Sequence, residues 1–465
     1  MITAKNIQYT QVKEPFWGVP QEMPHIPDDI YQQRLHKMLD KMRGRDLDFI
    51  LIYADREHYG NFDYMTGFGP RFEEALLVID KKGNAYCLLG NECYSLYKYS
   101  RIHCEGILCQ SFSLPNQPMD RNKELEQILK EIGLKNGEKV GIVGWKLMYP
   151  IHGSVFDTDL PSFIAESIRK IVGTEYVFNA TDLFIHPEYG IRVLNSADEI
   201  AFFEYGATYA SDATQKMLMN VRTGLDEVEI SQFGTYGGLQ TATFPKVLAG
   251  KRIDIGMASP TTNKIKLGDR FQVSVGLVGG LTCRKGFVAY SEADLPEQSR
   301  DYLEKIVKPY FAVVANWYEM IGIGVSCGDI YDMVETNFPK KSYGWYLNPG
   351  HLIATEEWLS SPIYADSDIS LKSGMCLQMD IIPSTASKYV SPNCEDGLAI
   401  ADEKLRKELK CKYPDVYQRI ENRRRFMIEV LNIKIKPEVF PLSNLSGLYR
   451  PFVLNRDKAL VVSNS

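Results

Sequence analysis

Histidine is scarce in this chain: there are seven in 465 residues, and after His186 only His351 remains. Chemistry that draws on several histidines is therefore excluded from the second half of the sequence. Long apolar runs are missing as well. A bilayer-spanning helix needs about 18 or more consecutive apolar residues, and no such run occurs, so no membrane contact is expected. The opening Met1-Ile2-Thr3-Ala4-Lys5 lacks the apolar stretch of a secretory signal. The nine cysteines are odd in number, and none stands in a Cys-x-x-Cys pair. That excludes a disulfide framework or a zinc knuckle and reads as reduced thiols in a cytoplasmic protein. Net charge is -6, so the footprint of a nucleic-acid binder is absent. One basic run, Arg423-Arg424-Arg425, lies among Glu421, Phe426, Met427 and Glu429. It reads as the exposed face of an amphipathic helix.

What is present suits a globular protein of two or three domains, with 45% hydrophobic and 24% charged residues. Tyr31, Leu35, Met38, Leu39 and Met42 recur at helical spacing over 28–43. Leu47–Tyr53 reads as a buried strand, and Ala75–Ile79 and Ala85–Leu89 as a hairpin around Asp80-Lys81-Lys82-Gly83-Asn84. A strand at Lys139–Gly144 and a helix at Leu160–Val172 complete an α/β domain over 1–187. His186-Pro187-Glu188-Tyr189-Gly190 punctuates the chain, and a long helix follows over Asp198–Val221. Short β-like runs near 271–290 and 375–382, with helices over 299–321 and 414–431, make residues 188–465 an α+β domain.

Several segments in order carry a family resemblance. They are Asn61-Phe62-Asp63-Tyr64-Met65-Thr66-Gly67-Phe68, Arg192-Val193-Leu194-Asn195-Ser196-Ala197-Asp198-Glu199-Ile200, Lys266-Leu267-Gly268-Asp269, Asn348-Pro349-Gly350-His351, Lys372-Ser373-Gly374-Met375 and Cys394-Glu395-Asp396-Gly397. Together they resemble the creatinase, prolidase and aminopeptidase P family over nearly the whole chain. The resemblance implies an α/β N-terminal domain, a pita-bread catalytic domain over 188–465 with a C-terminal extension, and a homodimer. Peptidases of that family hold two metal ions with two aspartates, a histidine and two glutamates.

This chain departs from that set. Ser274 stands where the first aspartate is expected, and Lys285 or Cys283 where the second is. Met257 replaces a histidine ahead of Pro260, and a further histidine gives way near Glu356 or Glu357. His351, Asp380 and Glu395 survive. They admit three uses. One is a metal-free hydrolase resembling creatinase, cleaving a C–N bond in a small amino-acid-like or guanidino-like metabolite. A second is a mononuclear Xaa-Pro peptidase-like enzyme or lyase, with manganese, iron or zinc held by these three residues. The third is a pseudopeptidase that binds without turnover.

Carboxylates from Glu356, Glu357, Asp380 and Glu395 suit acid and base roles. The resemblance makes His58, Arg71 and Arg284 candidate substrate contacts, the arginines through their two-pronged guanidinium. Trp345, Tyr346 and Trp358 flank His351 as pocket walls or as a cage for a cation. Cys283 is read either as a nucleophile or as a small buried apolar group. The chain continues beyond Glu395 through an extension read as a cover for the site mouth or a dimer seam.

Overall fold

The computed structural model of the chain describes residues 1–121, 123–384 and 388–463. It divides into two compact units, one formed by Ile26–Val193 and the other by Met1–His25 with Leu194–Ser465. The smaller unit thus starts later than the expected first domain, 1–187, and ends a few residues beyond it. Strand β1 (Ile7–Gln11) pairs antiparallel with the chain's last strand, Lys458–Val462, setting Tyr9 opposite Leu460. Ladder hydrogen bonds thus hold the N-terminal segment in the larger unit.

The smaller unit is a mixed sheet of β2 (Phe49–Ala54), β3 (Ala75–Asp80), β4 (Ala85–Leu89), β5 (Glu105–Leu108), β6 (Val140–Val143) and β7 (Val177–Asn179). Its order is β5-β4-β3-β2-β6-β7. All six residues of β2, Phe-Ile-Leu-Ile-Tyr-Ala, are buried, as an unbroken apolar run at the sheet centre requires. The expected hairpin is β3–β4, with Leu77 opposite Cys87. Helix Asp28–Gly44 begins on Asp28 and Asp29 and carries Lys41 and Arg43 in its last turn, charges that oppose its dipole. The motif at 61–68 is a helix with its stop. Gly67 takes φ 79°, and Asn61 Nδ2 donates to the Gly144 carbonyl at 2.8 Å.

In the larger unit, helix Ala197–Asn220 opens on a capping box. Ser196 Oγ accepts from the Glu199 amide, and Glu199 Oε2 accepts from the Ser196 amide at 2.7 Å. The Ser196-Ala197-Asp198-Glu199 motif is therefore a helix start in physical terms. The sheet comprises β8 (Thr241–Ala249), β9 (Arg270–Leu277), β10 (Gly280–Phe287), β11 (His351–Leu352), β12 (Cys376–Met379) and β13 (Asn393–Ile400), in the order β11-β12-β13-β10-β9-β8. Strand β14 (Val439–Pro441) pairs with the far half of β13. Helix Ala197–Asn220 lies close on the β9–β10 turn. A Cβ at Gly206 would stand 1.8 Å from the Val278 carbonyl oxygen, so only glycine permits that approach.

The C-terminal extension contributes to the core, with Leu442, Leu445, Leu448, Tyr449 and Phe452 all buried. Its last strand, β15 (Lys458–Val462), is the partner of β1. The basic run is not a solvent face. Arg423 is 1% exposed and lies 2.7 Å from the buried carboxylate of Glu204, leaving only Arg425 of the three outside. Among the described residues, no helix is long and apolar enough to cross a membrane.

Candidate active site

Strand register builds the site. In a pleated sheet, side chains directly opposite each other on neighbouring strands share a face, and successive residues alternate. Lys246 of β8 pairs with Ser274 of β9, Ser274 with Cys283 of β10, and Cys283 with Glu395 of β13. One row of side chains thus crosses four strands on one face. On β12, Gln378 pairs with His351 of β11, and Asp380 follows two residues later on the same face. The three surviving residues converge. His351, Asp380 and Glu395 each offer a ligand atom, and these atoms lie within 4.8 Å of one another.

Hydrogen bonds aim each group. His351 Nδ1 lies 3.1 Å from its neighbour's carbonyl, Leu352 O, and a proton on Nδ1 donated there leaves Nε2 to face the cluster. Nε2 stands 3.2 Å from Glu357 Oε1 and 4.0 Å from Asp380 Oδ2. The ring stacks on Trp358, with centroids 4.1 Å apart. Gln378 and Asn393 amides lie 3.4 and 3.3 Å from the two Glu395 oxygens. Even so, the fully buried Ser274 Oγ, His351 Nε2 and Asp380 Oδ1 have no partner in hydrogen-bonding geometry.

Electrostatics at the cluster are those of crowded carboxylates. Burial raises Asp380 most, Glu357 adds to this, and the His351 charge opposes it, leaving the carboxyl at about 7. Burial and then Asp380 and Glu357 push Glu395 well above the ordinary carboxylate range. Burial pulls His351 down, but Glu357 and Asp380 outweigh it and hold the imidazole above its usual value. The same pairing holds Glu357 low despite its burial.

The donor set fits a single divalent ion. One imidazole and two carboxylates are a set that manganese, iron or zinc accepts, and Asp380 Oδ1 is buried without a hydrogen-bond partner. A second ion finds fewer ligands, since Ser274 and Cys283 occupy the row beside Glu395.

No family model and no curated relative matches the sequence. Solved structures do. An Xaa-Pro dipeptidase from Bacillus anthracis aligns with a TM-score of 0.60 at 16% identity, over 80% of this chain and 96% of that one. The prolidase from Pyrococcus horikoshii OT3 aligns at 0.60 and 17%, over 79% and 95%. The X-Pro aminopeptidase from Thermotoga maritima MSB8 aligns at 0.59 and 13%, also over 79% and 95%. The fold is that of the prolidases and aminopeptidases P.

Within this pita-bread frame, the register places the two residues considered for the second aspartate position. Cys283, opposite both Ser274 and Glu395, is the one of the two candidates in the row with Glu395, and Lys285 lies two residues on. Burial and Glu395 push the Cys283 thiol up to about 12, so it is a small buried group and not a thiolate nucleophile. Met257 is exposed.

The other expected contacts separate. Glu357 joins the cluster, whereas Glu356, half-buried, places its carbonyl oxygen 3.1 Å from the Ala354 amide. Arg284 points to the opposite face of β10. There it binds Asp396 at 2.7 Å and donates to the carbonyls of Glu395, Leu445 and Leu448. It cannot anchor substrate from that position, because an odd step along a strand reverses the face. His58 and Arg71 belong to the smaller unit. His58 stacks on Trp145 and pairs with Asp55 at 3.1 Å. The Arg71 guanidinium lies over the Tyr59 ring. Trp345 is buried in the core, with its Nε1 bonded to Phe338 O.

Lys246 was not among the sequence-level candidates. Pro245 interrupts the apolar alternation of its strand, which therefore does not read as one. A proline is admitted because β8 is an edge strand whose register shifts between Thr243 and Lys246.

Proposed function

We propose that this chain is a hydrolase of a C–N bond in small peptide-like substrates, working with one divalent metal ion at His351, Asp380 and Glu395. The observation that carries the reading is the convergence of these three buried donors within 4.8 Å, with Asp380 Oδ1 buried and without a hydrogen-bond partner. The likeness to structures named Xaa-Pro dipeptidase, prolidase and X-Pro aminopeptidase supports small Xaa-Pro peptides as the first substrates to try. It also favours the mononuclear reading over metal-free, creatinase-like use of the same residues.

A bound ion of this kind supplies a water deprotonated near neutral pH and polarises a carbonyl. The chain's residues supply the rest. Glu357, partly buried beside Nε2, is placed to take a proton from the attacking water and pass it to the leaving nitrogen. Gln378 and Asn393 hold the Glu395 carboxylate in one orientation. Trp358 fixes the plane of the His351 ring. Nine cysteines without a disulfide among the described residues support a reducing, cytoplasmic setting. A homodimer is part of the same reading.

The test is metal content of untagged protein by plasma mass spectrometry, paired with hydrolysis of Xaa-Pro dipeptides before and after chelation. About one manganese, iron or zinc per chain and chelator-sensitive turnover would sustain the reading. Turnover that survives complete metal removal would replace it with the metal-free hydrolase.

A further inference from the structure

Lys285 is a cation on the active-site face whose ammonium has no hydrogen-bond or ion-pair partner among the described residues. It stands two residues beyond Cys283 on β10, so it points to the same side of the sheet as Cys283 and Glu395. Register sets it between Asn393 of β13 and Gln272 of β9. This second row runs beside the row Ser274–Cys283–Glu395, roughly 6–7 Å from it at the usual rise of a strand. Ile382 follows Asp380 by the same two residues. Lys285 and Ile382 both line a cleft of about 300 Å³, together with Pro383, Val390, Tyr346 and Arg270. The cleft therefore opens one row away from the donor cluster. Its other lining cation is already engaged, since Arg270 grips Asp254 through two contacts of 2.6 and 2.7 Å. Flanking Lys285, Gln272 and Asn393 are 5% and 1% exposed, and Gln272 Oε1 and Asn393 Oδ1 have no hydrogen-bond partner. Buried polar atoms left unpaired are costly, so the row is suited to a ligand that brings an anion for the ammonium and polar groups for the amides.

We propose that Lys285 is a substrate-binding residue that takes the free carboxylate of the leaving amino acid, so that the site prefers dipeptides to longer chains. The inference rests on the C–N hydrolase reading above. Chain geometry supports it. In a dipeptide the carboxylate carbon lies three bonds from the scissile carbonyl carbon, roughly 3–4 Å away. An ammonium–carboxylate hydrogen bond adds about 2.8 Å, which together spans the separation between the two rows. A peptide that continues past the leaving residue presents a neutral amide there and forfeits the ion pair. Ile382, Pro383 and Val390 give the same cleft an apolar wall for the leaving residue's side chain or ring. The Lys285 carbonyl accepts from Tyr449 Oη at 2.9 Å, so the backbone at this position is held independently of the side chain.

The experiment measures kcat and KM for alanyl-proline and for its uncharged analogue alanyl-prolinamide, with wild type, Lys285→Met and Lys285→Arg. Wild type should prefer the free acid by about tenfold or more in kcat/KM, the scale of one hydrogen bond to a charged group. Lys285→Met should lose that preference, chiefly through KM, while its rate on the amide stays unchanged. Lys285→Arg should keep most of it. Damage of a merely structural kind would depress both substrates together, and Lys285→Gln replaces the methionine variant if that one does not fold. Thermal melts with millimolar L-proline or L-prolinamide read the same subsite without turnover. Proline should raise the melting temperature of wild type but not of Lys285→Met, and prolinamide should raise neither. Equal use of acid and amide by wild type, or a preference that survives in Lys285→Met, would overturn the proposal and leave the hydrolase reading standing. If neither peptide is cleaved but proline stabilises wild type alone, the carboxylate subsite stands and the hydrolase reading falls. No cleavage, with identical melts throughout, would overturn both.

Discussion

Arg284 Nη2 lies 2.7 Å from Asp396 Oδ2, with both side chains buried directly behind the strand positions that present Cys283 and Glu395 to the active site. The pair fastens β10 to β13 and, through the Leu445 and Leu448 carbonyls, ties the C-terminal extension to the sheet. Arg284→Met should therefore act on stability. Removing one partner of a buried pair strands the other, at a cost of about 3–5 kcal/mol. Equilibrium unfolding in urea would measure this, and a near-normal unfolding midpoint would contradict the assignment.

The donor residues make a different prediction. His351→Ala and Asp380→Asn should each abolish stoichiometric manganese binding and cut turnover by about 10²–10⁴-fold. The variants should still fold, as read from their circular dichroism. Wild-type metal content in either variant would remove that residue from the donor set.

Stability at acid pH should depend on Glu204. Burial raises this carboxyl, but Arg423 and Arg419, each 2.7 Å away, outweigh burial and hold it below its ordinary value. A carboxyl depressed in the folded state contributes stability that is fully present above the unfolded value of about 4.3. That contribution is lost as pH falls from there through the folded value. Glu204→Gln should lower the melting temperature at neutral pH and flatten its decline below about pH 4. Parallel melting profiles for the two proteins would argue against the pairing.

Thiol chemistry offers a simple check on Cys283. With its thiol raised to about 12 and buried, it should resist iodoacetamide in the native protein at neutral pH. Cys411, the exposed cysteine among the nine, should label first. Peptide mapping by mass spectrometry distinguishes them, and rapid labelling of Cys283 with loss of activity would restore the nucleophile reading.

Gly206→Ala should be costly despite its chemical modesty, because the added methyl meets the Val278 carbonyl inside van der Waals contact. Overpacking of this kind costs about 1–3 kcal/mol, measurable as a lower melting temperature. An unchanged melt would mean that the helix shifts freely over the β9–β10 turn.

Local signals in the sequence were sufficient for several elements and for naming three residues that the fold brings together. Apolar runs placed β2 and the β3–β4 hairpin, and Ser196-Ala197-Asp198-Glu199 marked a helix start, because each depends on neighbours a few residues away. His351, Asp380 and Glu395 were legible through their motifs. Three other roles were not. Arg423 and Exposed-looking neighbours gave a charged run that reads as a solvent face, yet Arg423 is buried because Glu204, distant in sequence, waits for it in the core. Arg284 and Cys283 are adjacent, and only the pairing of β10 with β9 and β13 decides which of them faces the site. Lys246 was hidden by a proline that an edge strand tolerates. The sequence by itself determined which groups this protein has for chemistry: one late histidine, a few carboxylates, and no full two-metal ligand set. Tertiary structure alone decided which face each group takes, since strand register is set by long-range pairing, and it buried Lys246 on an edge strand.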